Sequence, residues 1–124
     1  MNGRFLLDTN AVVALLKGDA FLIQILQSAS WVGISVITEL EFLSFSGLTS
    51  QDEALFRQFK NRVEMIDLQA ADDKMLARII EIRKSSSVKL PDAIIAASAI
   101  ENNATLLTQD TAFSRILFLS VEGF

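Results

Sequence analysis

Short apolar segments of strand length alternate with longer segments of helical periodicity, and this alternation constrains the fold more than any other feature of the chain. The predicted strands are Arg4 to Leu7, Trp31 to Ser35, Val63 to Leu68 and Thr105 to Thr108. Because helical segments fill the intervals, each strand is expected to run parallel to its neighbours through a crossover helix. The order predicts an α/β fold with a central parallel sheet and helices on both faces.

Local start and stop signals place the helices. Ser50 and Glu53 have the spacing of a capping box, which predicts a helix start at this point. Pro91 suits a first helical turn, and the apolar residues after it indicate a largely buried helix over Ala93 to Ile100. A last apolar stretch, Ile116 to Val121, is predicted to complete the alternation. The other predicted helices are Asn10 to Lys17 before Gly18, Ala20 to Ser28, Val36 to Phe45 before Gly47, and about Ala71 to Lys84.

Length and apolar content predict a single domain over residues 1–124. The chain has 124 residues, of which 51% are hydrophobic, but its apolar runs are far shorter than the roughly 18 residues of a membrane helix. Asp8 also interrupts the apolar start too early for a secretory signal. We therefore expect a cytoplasmic protein without a membrane partner. The apolar surplus predicts a partner surface or a dimer contact.

The residue types that are missing limit the chemistry. The sequence has no Cys, no His and no Tyr, which excludes disulfides, Ser–His triads, imidazole bases and ordinary zinc sites. Carboxylates without imidazole are hard oxygen ligands that suit Mg²⁺ or Mn²⁺. The net charge of −4 argues against broad electrostatic capture of nucleic acid, so any nucleic-acid contact must be local or shared with a partner.

Four acids fall where a parallel sheet places its ligands, which is outside the carboxyl ends of the strands. Asp8 follows the first strand, Glu41 lies in the helix after the second, Asp92 opens the buried helix, and Asp110 follows the strand that begins at Thr105. Their convergence is a prediction of the topology. Because neighbouring like charges repel, such a cluster is unfavourable for stability unless a divalent cation binds it.

Each acid also has a purely structural interpretation. Asp8 has the residue type of a helix cap, Asp92 suits the positive end of a helix dipole, and Asp110 is an ordinary turn residue. Glu41 fits a capping box with Thr38, and Glu39 competes with it for a metal role. The residues alone leave these alternatives open.

Several motifs together resemble those of PIN-domain nucleases over nearly the whole chain. The similar segments are Phe5 to Asn10, Ser35 to Glu41, Leu90 to Ala97, and Leu106 to Asp110 with Phe113. In the second segment the family's acid follows the Thr by three residues, which favours Glu41 over Glu39. Many relatives carry a polar or acidic residue just before the Phe, where this chain has Ala112. The closing segment thus departs from the family pattern beside the fourth acid.

The resemblance implies a PIN-like α/β/α fold and hydrolysis of RNA phosphodiester bonds with Mg²⁺ or Mn²⁺. It further implies that Asp8, Glu41 and Asp92 hold the metal, that Asp110 completes or orients the site, and that Thr9 and Asn10 support it. Small single-domain members are usually toxins neutralised by a VapB-type antitoxin. The expected assemblies are therefore a homodimer or a toxin–antitoxin hetero-oligomer.

Several basic and aromatic residues have both a functional and a structural interpretation. Arg83, Lys84 and Lys89 are candidates for RNA phosphate contacts, although cations late in a helix also suit its dipole. Phe42 and Phe45 are candidates for a partner surface, although helical aromatic residues usually belong to the core. The rival functions are an inert binding module, an aspartyl phosphatase and a receiver-like domain. An aspartyl phosphatase needs a second acid two residues after the first, where this chain has Asn10. A receiver domain needs an acid pair before the first loop and a lysine after a late strand, and the sequence shows neither.

Overall fold

The computed structural model describes residues 3–124, and within them five strands form one parallel sheet. The strands are β1 Arg4–Leu7, β2 Trp31–Ser35, β3 Glu64–Ile66, β4 Thr105–Leu107 and β5 Val121–Glu122. Their order in the sheet is β3-β2-β1-β4-β5. The central strand β1 pairs with β2 on one side and with β4 on the other, so that Leu6 lies opposite both Gly33 and Leu106.

Six α-helices connect the strands in the described part of the chain. They are α1 Thr9–Leu16, α2 Ala20–Ser28, α3 Val36–Leu43, α4 Ser50–Lys60, α5 Asp73–Ser85 and α6 Leu90–Glu101, and a short 3₁₀ helix covers Thr111–Arg115. Two helices follow each of β1, β2 and β3, which gives the right length for parallel crossovers.

The core lies on both faces of the sheet, because successive residues of a strand point to opposite sides. Leu6 and Leu106 pack with α5 and α6, including Ile79 and Ile95. Their chain neighbours Leu7 and Leu107 belong to the other cluster, which includes residues of α1 to α4. The predicted α/β/α fold is confirmed.

The order of the strands reverses at the centre of the sheet. The chain moves outward from β1 through β2 to β3, and then returns to place β4 against the other edge of β1. The carboxyl ends of β1 and β4 therefore flank the switch point, which is the usual ligand position in an open parallel sheet.

Two local predictions were wrong. The capping box of α4 uses Thr49 and Asp52 instead of Ser50 and Glu53. The backbone at Thr49 is extended, and Ser50 is already the first residue of the helix. The last apolar stretch, Ile116 to Val121, which was expected to complete the alternation, is mostly a loop, and β5 contains only Val121 and Glu122. Phe118 interrupts the extended backbone with a φ of 68°.

Within residues 3–124, the search for membrane spans finds no single helix that is both long and apolar enough. Among the helices of that range, α1 and α2 meet the length and composition criteria only as a pair, and they are bent by 102° at their junction.

Candidate functional site

Asp8 lies at the carboxyl end of β1 and is 5% exposed. The Ala11 amide donates a hydrogen bond to Asp8 Oδ1 at 2.8 Å, and the Thr108 hydroxyl donates to Oδ2 at 2.5 Å. Asp8 is therefore the N-cap of α1, as its structural interpretation predicted. Burial raises the pKa of Asp8, and the charges of Asp110 and Asp92 add to the increase, whereas the bonds from Thr108 and Ala11 oppose it.

Asp92 lies in the first turn of α6 and is half-buried. The residue before the helix, Lys89, makes no side-chain capping bond. Burial raises the pKa of Asp92, as do the charges of Asp110 and Glu41, whereas Lys89 lowers it. Both the burial and the neighbouring carboxylates make the charged form of Asp92 costly in the folded chain.

Hydrogen bonds gather the predicted acids at one end of the sheet, because Glu41 accepts from Thr9, next to Asp8, and Thr108 links Asp8 to the Asp110 turn. The charge interactions add Asp92 to this group. Asp8 is coupled to Asp92 and Asp110, and Asp92 is coupled to Asp110 and Glu41. Each acid comes from a different segment, and the carboxyl ends of β1 and β4 bring these segments to the switch point.

The two neighbouring glutamates of α3 have different surroundings. Glu39 Oε2 accepts a hydrogen bond from Lys60 Nζ at 2.8 Å, which ties α3 to α4. Glu41 Oε1 accepts from the Thr9 hydroxyl at 2.5 Å. Residues two apart on a helix face different directions, so only Glu41 lies with the other acids. The alternative that Thr38 caps this helix is wrong, because the Ser35 side chain is the cap.

Asp110 is exposed and caps the 3₁₀ helix, and its Oδ1 accepts a hydrogen bond from the Ala112 amide at 2.9 Å. Its own backbone amide donates to the Thr108 hydroxyl at 3.0 Å. The turn interpretation of Asp110 is therefore correct, but the turn also holds this residue beside the other acids.

Thr108 is a site residue to which the sequence assigned no role. Its buried hydroxyl donates to Asp8 and accepts from the Asp110 amide, so it links two of the acids directly. The bond to Asp8 joins residues 100 positions apart in the chain. A hydroxyl directly after a central strand was the available signal, but its partner depends on the pairing of β1 with β4.

The donor set suits a hard divalent cation, because all four side chains offer carboxylate oxygens. In residues 3–124, however, no three acidic side chains are arranged to hold one ion. Asp8, Glu41 and Asp110 each direct an oxygen at a protein donor, and without a cation the neighbouring carboxylates repel each other. Binding of one shared ion therefore requires side chains to turn towards each other.

Of the basic residues considered for RNA contacts, Arg83 has a structural partner, since its guanidinium donates to the Val88 carbonyl at 3.0 Å. Lys89 is exposed and is near enough to lower the pKa of Asp92. Among these candidates, Lys89 is thus the cation linked to the acids.

By its fold and its site, this chain is a three-layer α/β domain with a parallel sheet and a group of carboxylates at the switch point of the strand order. The family model described as PIN domain matches residues 5–119, and the chain therefore belongs to the PIN domain family. A comparison with curated proteins finds no match.

Solved structures agree with the family. A chain of VapBC2 from Rickettsia felis, crystallised with a DNA fragment from its promoter, is 27% identical with a TM-score of 0.83, covering 97% of this chain and 98% of that one. A toxin–antitoxin complex from Klebsiella pneumoniae gives 26% identity and a TM-score of 0.74, covering 92% and 93%. DNA-bound VapBC from Salmonella typhimurium, at 23% identity, shares the fold with a TM-score of 0.80, covering 99% and 98%. The resemblance inferred from the motifs is confirmed.

Proposed function

We propose that this chain is a metal-dependent endoribonuclease and the VapC-type toxin of a toxin–antitoxin pair. The observation that carries the proposal is the cluster of Asp8, Glu41, Asp92 and Asp110 at the switch point of the sheet. The raised pKa values of Asp8 and Asp92 are the expected result of burying carboxylates near each other. Carboxylates whose charged forms are disfavoured by burial and by one another are typical of a functional site.

The proposed cofactor is Mg²⁺ or Mn²⁺, held by these four carboxylates. When bound, such an ion lowers the pKa of a coordinated water, polarises a phosphoryl oxygen and stabilises the leaving oxyanion. Thr108 orients Asp8, and Thr9 orients Glu41, through the hydrogen bonds that their hydroxyls donate. Lys89 offers a positive charge for a substrate phosphate beside Asp92.

The proposed partner is a VapB-type antitoxin, and the proposed location is the cytoplasm. The structures from Rickettsia felis and Klebsiella pneumoniae, each at least 26% identical, are of a VapBC pair and a toxin–antitoxin complex. Exposed large apolar side chains such as Leu40, Leu90 and Leu117 supply surface for an antitoxin or for a second copy of the chain.

Cleavage of RNA by the purified chain tests this function. We expect cutting with Mn²⁺ or Mg²⁺, no cutting with a chelator, and loss of cutting in Asp8→Asn. The Glu41→Gln variant should lose at least tenfold more activity than Glu39→Gln. These two variants are a matched pair, because they make the same change on the same helix.

Circular dichroism must show that all variants remain folded. Chelator-resistant cleavage would contradict the metal site, and equal losses in the two glutamate variants would contradict the role of Glu41. A folded wild-type chain that cuts no RNA with either cation would favour the inert binding module. Release of phosphate from a small phosphomonoester instead would favour the phosphatase.

A further inference from the structure

A groove of about 460 Å³ runs between α1, α3 and α4 beside the candidate site. Its apolar lining includes Val13, Leu16 and Leu55, and Thr9 and Glu41 also line it. Because Thr9 and Glu41 also belong to the candidate site, a molecule bound at the acids can extend into this groove without leaving the surface.

Phe45 is the aromatic side chain that this groove exposes. It is 70% exposed, whereas Phe42 is buried and stacks on Phe56 with ring centroids 4.8 Å apart. A side-chain carbon added at Gly47 would be 3.4 Å from the Phe45 ring, so Gly47 lies close to one edge of that ring. Phe45 therefore offers an aromatic surface that the core does not use.

Besides Glu41, two charged residues line the groove, and their surroundings differ. Lys17 lines it and makes no salt bridge within residues 3–124. Asp52 also lines it, but its carboxylate accepts from the Thr49 amide in the capping box. The groove thus combines a cation, an aromatic ring and apolar walls next to the acids.

We propose that this groove binds a base of single-stranded RNA, stacked on Phe45, with an adjacent phosphate near Lys17. The proposal deepens the proposed ribonuclease function and rests on it. Because the chain has a net charge of −4, general attraction to phosphates is weak, and stacking must supply a larger share of the affinity. A base paired within a duplex cannot stack on a protein ring, so single strands are preferred.

Fluorescence anisotropy with a labelled single-stranded RNA of mixed sequence tests the groove in the presence of chelator. We expect Phe45→Ala to weaken binding about tenfold, which corresponds to about 1.4 kcal/mol. Phe45→Trp should bind like the wild type, because it keeps an aromatic face. The matched control is Phe21→Ala, which removes a ring that is 46% exposed on α2 and outside the groove.

The outcomes separate this inference from the nuclease proposal. Wild-type affinity in Phe45→Ala, or equal losses in Phe45→Ala and Phe21→Ala, would overturn the base site even if the chain cuts RNA. Loss of RNA binding in Phe45→Ala would support it even if no cleavage is detected. If Phe45→Ala abolishes binding of a VapB-type antitoxin but leaves RNA affinity unchanged, the groove is a protein-docking site and the proposal is wrong.

Discussion

Replacing Asp92 by Asn separates a functional carboxylate from a structural one. Asp92 stands in the first turn of α6, where its negative charge meets the positive end of the helix dipole. It also stands near Asp110 and Glu41, whose charges oppose its ionisation. Asn has nearly the same shape, so Asp92→Asn removes the charge and changes little else.

Two effects determine the change in the free energy of unfolding. Loss of the favourable dipole interaction costs about 0.3–1 kcal/mol. Relief from burial of a charge and from repulsion by Asp110 and Glu41 acts in the opposite direction. In chelator near pH 7 we therefore expect Asp92→Asn to lie within about 1 kcal/mol of the wild type, or about 4 °C in Tm.

The sign of the pH dependence follows from the raised pKa of Asp92. Below its ordinary value of 3.8, the carboxyl is protonated in both the folded and the unfolded chain, and its charge has no effect on stability. As the pH rises above 3.8, the unfolded chain ionises this carboxyl before the folded chain does, so the wild type loses stability until the pH passes the raised folded-state pKa. Asp92→Asn should therefore gain stability relative to the wild type as the pH rises above about 4, and the gain should level off above the folded-state pKa.

Urea denaturation in chelator measures this difference, and Glu101→Gln is the control with the opposite sign. Burial alone would raise the pKa of Glu101, but the hydrogen bond from Arg78 and the charges of Lys74 and Arg78 lower it overall. Glu101→Gln should therefore lose stability relative to the wild type as the pH rises. If Asp92→Asn shows this same trend and a loss above about 1 kcal/mol, its carboxylate stabilises the helix, and the reasoning fails.

Two further variants test the local structure. Thr108→Val should lower the free energy of unfolding by about 1–2 kcal/mol in urea denaturation and should lose most RNA cleavage, because it removes the donor to Asp8 and the acceptor for the Asp110 amide. Thr108→Ser should retain both the stability and the cleavage. An active Thr108→Val variant would contradict the role of the hydroxyl. Gly18→Ala should lower the free energy of unfolding by about 1–2 kcal/mol, measured by thermal denaturation, because Gly18 has a φ of 93°. A side-chain carbon at this position meets nothing within 4 Å, so backbone strain is the cause of the expected loss. An unchanged Tm would show that the turn can relax.

Much of the fold could be predicted because its signals are local. The boundaries of β1, α2 and β2 agree with the predicted segments, and Pro91 lies in the first turn of α6 as expected. Predictions failed where a short apolar stretch had no periodicity to define it. The residues before β5 look like a strand, but Leu117 and Phe118 are more than 70% exposed, and the turn at Phe118 ends the extended backbone.

The sequence by itself determined the chemistry that is available, which is carboxylates in four separate segments, without any histidine or cysteine. Only the tertiary structure decided which of these groups meet. In the folded chain Glu39 accepts a hydrogen bond from Lys60, whereas Glu41 accepts one from Thr9. The Thr108 hydroxyl donates to Asp8 and accepts from the Asp110 amide. The physical reason is the range of the interactions, since capping and periodicity depend on residues a few positions apart, whereas the pairing of β1 with β4 joins segments about 100 residues apart.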